Sequence, residues 1–251
     1  MEVPAASAFS RKLGAAGGLT EADRVLVERL QHRRRSFAIG RDLVHQGRTN
    51  QSAFILVTGW VCSYKLQNDG SRQIVDVRIP GDVLGLRNLV LRTCDLGQEP
   101  ITPCEAAEVQ GADLADAFAQ SPRVAAAVLW AAARDEAVVS EHLVGLGRRD
   151  AAARMAHFLL ELGVRLGFAG IGDAKGYDCP LTQYHLADAL GLSAIHVNRT
   201  LRMLREQGLL VFRDGAVSFQ DYQGLISLAG FDPAYLDHRG PERHASLRDV
   251  V

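Results

Sequence analysis

Apolar and polar positions alternate along this chain in two rhythms. Between Phe37 and Val109 the apolar residues come in short β-rich runs, SFAIG, DLVHQG, SAFILVTG, WVCSYKL, QIVDVRI and EAAEV, separated by Gly, Asp and Asn. Such runs predict an all-β region. Asn68-Asp69-Gly70 supplies a hairpin signal between WVCSYKL and QIVDVRI, and Thr58-Gly59 marks another turn. Short strands at this spacing predict a jelly roll or a related barrel.

On either side the period lengthens to that of a helix. LTEADRVLVERL reads as one, with Thr20 as its N-cap, Asp23 at the third helical position and Val25, Leu26 and Leu30 following. Asp113 to Gln120 predicts a short helix, after which Ser121-Pro122 places a cap and a proline at the start of a longer one running to about Val144. Along it Leu129, Ala132, Ala133, Val139, Leu143 and Leu146 approximate an a/d stripe interrupted at Glu136, and the alanines admit a close neighbour. On pattern alone the stripe suits a buried intramolecular helix as well as a seam with a second chain. Gly145, Gly147 and Arg148-Arg149-Asp150 predict a hinge. Ala151 to Leu166 is then helical, with Met155, Phe158, Leu159, Leu162 and Leu166 on one face, and residues 167 to 180 read as a loop. Residues 1 to 18 lack periodicity and predict a loose arm, and the charged tail from Asp237 predicts disorder.

The densest pattern lies in residues 181 to 211, LTQYHLADALGLSAIHVNRTLRMLREQGLLV. Thr182 sits as an N-cap, Leu186 and Leu190 follow one turn apart, and Gly191 ends the run. Ser193 caps a second helix whose buried stripe is Val197, Leu201 and Leu204 and whose stop is Gly208. Two short helices about a glycine corner describe a helix-turn-helix. At about 100° per residue, the opposite face of the second helix carries Ile195, Arg199, Arg202 and Glu206, with Asn198 beside them and His196 on the flank. Arginine pairs with guanine O6 and N7, asparagine with adenine N6 and N7, and an exposed apolar side chain meets a thymine methyl group. The candidate DNA-binding residues are thus Thr182, Gln183, Ser193, Ile195, His196, Asn198, Arg199 and Arg202. Arg199 is the main candidate for base readout, Asn198 and His196 suit a base or a phosphate, and Gln183 and Arg202 suit the backbone. Beyond Gly208, LLVF and AVSF flank Arg213-Asp214-Gly215, a tight hairpin that makes a β wing, and LISLAGFDPAYL adds helix-like spacing broken before Pro233. A helical hairpin with merely solvated arginines is the plainer alternative; cap, turn, spacing, polar face and wing arriving together argue against it.

Composition narrows the function. A chain of 251 residues, 47% hydrophobic and 23% charged, suits one large globular domain or two ordinary ones. The formal net charge of -1 removes overall basicity as grounds for nucleic-acid binding, so any such affinity rests on local clusters. Arg148, Arg149, Arg154 and Arg165 against Asp150 and Glu161 form one, and Arg199, Arg202, Arg205 and Arg213 against Glu206 and Asp214 form the other. The run His32-Arg33-Arg34-Arg35 reads as a solvated link into the first strand rather than a nucleic-acid patch. The apolar stretches fall short of the roughly 20 residues that span a bilayer and the N-terminus lacks a signal pattern, which predicts a cytoplasmic protein without a membrane partner. Cys62, Cys94, Cys104 and Cys179 form no C-x-x-C pair and no zinc-like spacing with histidine, so inert thiols and no metal are expected. No nucleotide loop, nucleophile elbow or zinc-protease motif occurs, so no enzyme is expected. A nucleotide-sensing regulatory subunit that acts on a protein partner is the alternative from another class.

LTQYHLADALGLSAIHVNRTLRMLREQGLL resembles the C-terminal DNA-binding domain of the Crp/Fnr superfamily of bacterial transcription regulators, especially members with HVNRTL in the recognition helix. FILVTGWVCSYKLQNDGSRQIVDVRIPGDVLG resembles the cyclic-nucleotide-binding fold of the same superfamily, with Gly47, Gly59 and Gly81-Asp82 at its usual turns. Better-known members read a G·C-containing half-site with a Glu-x-x-x-Arg pair; here Arg199 matches the arginine and Ile195 replaces the glutamate. Members that bind cyclic AMP hold the ribose with a glutamate and the phosphate with an Arg-Ser pair. Those positions are here Leu86 and about Cys94-Asp95, with Arg92 reachable only across a gap and Arg87 as a second candidate. A carboxylate at the phosphate position repels it. No cofactor is therefore evident, a cyclic nucleotide is not expected, and the barrel is a scaffold or the sensor of an unknown small-molecule effector. Iron–sulfur members cluster cysteines near the N-terminus, where this chain has none before Cys62.

The resemblance implies an α+β chain: a flexible arm (1–18), an N-terminal jelly-roll β-barrel of the cyclic-nucleotide-binding type (19–120), a long dimerisation helix (121–146), a C-terminal winged helix-turn-helix (147–222) and an extension (223–251) with a disordered end. It further implies a homodimer on a pseudo-palindrome of double-stranded DNA, with half-sites about one helical turn, roughly 34 Å, apart and RNA polymerase as a further partner. An effector that favours one packing of barrel against long helix would shift the orientation of the reading heads.

Overall fold

Ala53, Phe54, Ile55 and Leu56 are consecutive and all buried, yet they serve two different cores. Phe54 and Leu56 meet Val61, Leu84 and Ala106 inside a barrel, whereas Ala53 and Ile55 face outward under helices, beside Val109 and Val124. Side chains alternate across a strand, so a strand covered on both faces reads as one apolar run. The computed structural model describes residues 6–49, 51–172 and 175–236. Helices α1 (Ala8–Ala15) and α2 (Glu21–Arg29) precede strands β1 (Arg34–Phe37), β2 (Ala53–Thr58), β3 (Val61–Leu66), β4 (Arg72–Arg78), β5 (Val83–Leu84), β6 (Gly97–Pro100) and β7 (Cys104–Val109). Then come α3 (Gly111–Gln120), α4 (Pro122–Arg148), α5 (Ala151–Ala169), β8 (Gly176–Asp178), α6 (Gln183–Leu190), α7 (Ala194–Glu206), β9 (Leu210–Arg213), β10 (Ala216–Phe219) and α8 (Tyr222–Ala229).

The barrel strands form antiparallel sheets in the orders β1-β7-β2-β5 and β4-β3-β6, a jelly-roll arrangement. Two of the expected strands differ. DLVHQG contributes only the isolated bridge of Val44 to Gln98, and the polar, proline-containing Gly97–Pro100 supplies β6 instead, because β3 offers it a free edge. The basic run enters β1, where Arg33, Arg34 and Arg35 pair with Asp113, Glu105 and Glu108.

The loose arm expected over residues 1 to 18 is corrected by α1. Ser7 caps it, and Phe9 and Leu13 are buried against the barrel and the long helix. Residues 1–5, like the tail from Asp237 onward, lie outside the described residues. The hinge narrows to the last residues of the expected stretch. Helix α4 starts from the Ser121 cap with Pro122 in its first turn, passes through Gly145 and Gly147, and breaks at Arg149, which is extended at φ -89 and ψ 143. Asp150 restarts the chain by capping α5 through the Ala153 amide at 2.8 Å. Val124, Ala127, Val128, Ala131 and Val138 form the face of α4 that its own chain buries, leaving Leu129 and Leu143 uncovered at 63% and 69% exposure.

Barrel, α1, α4 and α5 meet at a buried cluster of charges. Arg165 of α5 donates to Asp76 and Asp82 at 3.0 Å each, to the Val77 carbonyl at 2.8 Å and to Glu161 at 3.3 Å. Lys12 reaches Asp82 at 2.8 Å, and Arg78 joins Asp76 at 3.0 Å and Asp135. His142 of α4 lies with Nε2 3.0 Å from Glu161 and Nδ1 3.3 Å from the Val75 carbonyl. With an acceptor at each nitrogen, the ring satisfies both only as imidazolium. Burial opposes that charge, but the Glu161 carboxylate, with Asp76 and the Val75 carbonyl, outweighs it and raises the pKa.

Candidate nucleic-acid interface

Helix α6 begins at a reciprocal cap. The Thr182 hydroxyl accepts from the His185 amide at 3.2 Å, and His185 Nδ1 accepts from the Thr182 amide at 3.1 Å. The second bond needs an unprotonated Nδ1. Burial, aided by the charge of Arg72, lowers the His185 pKa and supplies that state. At the other end Gly191 turns the chain in the left-handed region, and the Leu190 carbonyl accepts from Arg154, whose guanidinium also reaches the Arg149 carbonyl at 3.0 Å. The barrel holds the same helix from the side: Arg72 pairs with Asp188 at 2.8 Å and the Gln73 amide donates to the Ala189 carbonyl at 3.1 Å. Both partners of each contact lie far apart in sequence, and no local signal announces them.

Helix α7 starts at Ser193, whose hydroxyl accepts from the His196 amide at 3.2 Å. Its back is buried through Val197, Thr200 and Leu204. Thr200 is thus the covered residue where Leu201 was expected, and Leu201 is half-buried, since both positions flank the line from Val197 to Leu204. The outward face matches the sequence reading: Ile195 is 82% exposed, and Asn198, Arg199 and Arg202 are exposed with it. Among the described residues, neither the Arg199 nor the Arg202 side chain has a hydrogen bond or an ion pair within the chain. His196 is half-buried on the flank, and the Thr182 and Ser193 hydroxyls are engaged by backbone amides. Gln183 accepts a hydrogen bond from Asn198 at 2.7 Å, a contact between the two helices. Tyr184, 72% exposed beside Gln183, is a surface aromatic that the apolar spacing had no reason to mark.

The wing pairs β9 with β10 through Asp214 and Gly215, both at positive φ (52 and 73). Strand β8, inside the expected loop 167–180, adds a third member by pairing with β10.

Of the two expected basic clusters only the second stands free. Arg149 pairs with Glu141 at 2.8 Å, Arg154 caps α6, and Arg165 is buried in the charge cluster, leaving Arg148 as the exposed member of the first. All four cysteines are free and buried, and burial pushes the Cys62 and Cys179 thiols up to about 12. At the barrel, Leu86 packs beside α1 and α4 around a cavity of about 20 Å³. Arg87 is engaged by Asp95 at 3.1 Å.

Two known families match parts of this chain. The family described as "Crp-like helix-turn-helix domain" matches residues 153–228, and "Cyclic nucleotide-binding domain" matches residues 34–121. The nitrogen fixation regulation protein FixK of Azorhizobium caulinodans is 31% identical over 175 residues, 69% of this chain and 69% of its own. The transcriptional activatory protein AadR of Rhodopseudomonas palustris is 30% identical over 224 residues, covering 87% of this chain and 90% of its own. The structure of FixK2 from Bradyrhizobium japonicum aligns with a TM-score of 0.71 at 29% identity, over 79% of this chain and 98% of FixK2.

Proposed function

The chain belongs to the Crp/Fnr superfamily of transcription regulators, and on that premise we propose that it reads a pseudo-palindromic operator as a homodimer. It is a DNA-binding transcription regulator. One observation carries the reading of the site: two arginines on the outward face of α7, Arg199 and Arg202, have no internal partner among the described residues, while leucine and valine anchor the helix behind them. An arginine with no carboxylate to answer is available to a base edge or a phosphate. Arg199 reads a base; Thr182, Gln183, Ser193, Ile195, His196, Asn198 and Arg202 complete the contact.

Two subunits meet along the uncovered side of α4, where Leu129 and Leu143 stand exposed. That seam sets the two α7 helices one turn of DNA apart. A small effector at the barrel would act on the heads through Arg72, Asp76 and Asp82, which hold α6 and α5 directly. A cyclic nucleotide does not suit the barrel, where Leu86 stands at the ribose-binding position and Arg87 is already engaged by Asp95 at 3.1 Å. On this reading the protein binds rather than catalyses, works in the cytoplasm and passes its signal to RNA polymerase.

Selection of bound sites from random duplexes, with wild type, Arg199→Ala and Leu143→Glu, tests the proposal. Wild type is expected to select a two-fold symmetric site. Arg199→Ala relaxes one position per half-site at a cost of about 1 to 3 kcal/mol, and Leu143→Glu, with a charge in the seam, binds single half-sites weakly. Identical preferences for wild type and Arg199→Ala would remove Arg199 from base readout. No preference for any duplex would return the chain to a regulatory subunit that acts on a protein partner.

A further inference from the structure

Asn198 and Gln183 stand 15 residues apart, on different helices, and their side-chain amides are joined: Asn198 Nδ2 donates to Gln183 Oε1 at 2.7 Å. Both side chains are exposed, so left alone each would sample several rotamers. The contact removes that freedom, and it does so from a rigid base. Helix α6, which carries Gln183 as its first residue, is tied at its start by the Thr182–His185 cap, at its end by Arg154 and along its side by Arg72 and Gln73.

The sense of the bond decides what each amide has left. Asn198 uses one Nδ2 hydrogen on Gln183 and keeps the other, together with Oδ1. One donor beside one acceptor is the set that adenine N7 and N6 require. Gln183, its oxygen occupied, keeps only the Nε2 hydrogens, which suit a phosphate oxygen. We infer that Gln183 is a positioning residue that aims the Asn198 carboxamide at an adenine, which makes Asn198 a specificity determinant for one A·T pair in each half-site. The inference rests on the DNA-reading proposal above and deepens it. The gain comes from pre-organisation, because the amide is ordered before DNA arrives.

The experiment uses the full chain and the operator selected by wild type. Each adenine of a half-site is replaced in turn by 7-deazaadenine, which lacks the N7 acceptor, and by the other bases. Wild type is expected to lose about five- to a hundredfold in affinity at one adenine, and Asn198→Ala to lose that discrimination altogether. Gln183→Met, similar in size but without the acceptor, loses part of the preference at the same adenine and none at the base read by Arg199. Gln183→Glu keeps an acceptor for Nδ2 and keeps the adenine preference, while its added charge weakens binding to all sequences alike. Both positions are exposed, so thermal midpoints should stay near wild type. If Gln183→Met leaves the adenine preference untouched, or if Asn198→Ala and Gln183→Met lower affinity equally for every sequence and flatten the salt dependence, the two residues are backbone anchors and the inference is overturned while DNA reading stands. A wild type without preference for any duplex overturns both.

Discussion

Replacing Arg165 with methionine tests how the barrel and the reading head are joined. The side chain is 3% exposed and lies 3.0, 3.0 and 3.3 Å from Asp76, Asp82 and Glu161. At an effective dielectric constant near 20 each contact is worth on the order of 5 kcal/mol of gross attraction, which desolvation of the charges largely cancels. The net loss depends on what the substitution leaves behind. Asp82 keeps Lys12 at 2.8 Å, Asp76 keeps Arg78 at 3.0 Å, and Glu161 keeps His142 at 3.0 Å and the Tyr235 hydroxyl at 2.7 Å. Asp82 and Glu161 stay hydrogen-bonded, whereas Asp76 keeps only the charge of Arg78, which makes no hydrogen bond to it, so the loss falls in the range for breaking a buried ion cluster, about 3 to 5 kcal/mol. Asp76, Asp82 and the Val77 carbonyl all belong to the barrel side, so the damage falls on the seam. Urea unfolding followed by tryptophan fluorescence, which reports Trp60 and Trp130, and by circular dichroism should give coincident transitions for wild type. For Arg165→Met the circular-dichroism transition should come earlier, as the helices of the head unfold ahead of the barrel. A loss under about 1 kcal/mol with coincident transitions would refute the idea that this cluster joins the two parts. Arg87→Ala, which removes a half-exposed pair with Asp95, serves as the control and should shift stability by under about 0.5 kcal/mol.

The raised pKa of His142 has a sign that can be checked: its contribution is in place below the unfolded value of about 6.5 and is lost as pH climbs through the folded value. The urea midpoint of wild type should therefore fall relative to His142→Gln as pH rises above about 6.5, and parallel profiles would show that the imidazolium contributes nothing. His157 runs the opposite way, because burial and the nearby Arg149 hold it down to about 4, so its contribution is present above 6.5 and vanishes on acidification. Gly59→Ala should cost about 3 kcal/mol, since φ is +83 and a Cβ would sit 2.6 Å from both Cys104 Cβ and the Pro103 carbonyl oxygen. Gly70→Ala, at φ +84 in open space, carries only the conformational penalty of about 1 kcal/mol, and equal losses for the two in thermal unfolding would contradict the packing argument.

The local features were legible from the residues alone. The caps at Thr20, Ser121, Thr182 and Ser193, the stop at Gly191 and the Asp214-Gly215 hairpin all stand where the pattern places them, and so does the outward face of α7. Each is satisfied within about four residues of itself, so neighbours in sequence contain the whole cause. Other features waited for the tertiary structure. Residues 8 to 15 are helical because Phe9 and Leu13 find partners on β2, β7 and α4, and an Ala-, Ser- and Gly-containing segment gives no hint of that. Strands β6 and β8 exist because β3 and β10 offer them an edge. Arg149, Arg154 and Arg165 resemble a nucleic-acid patch in one dimension and become struts in three, through acceptors up to 89 residues away. Capping and turn chemistry act at short range and are written in adjacent letters, whereas ion pairing and edge-strand pairing require distant segments to be brought together, and only the closed chain decides which of them meet.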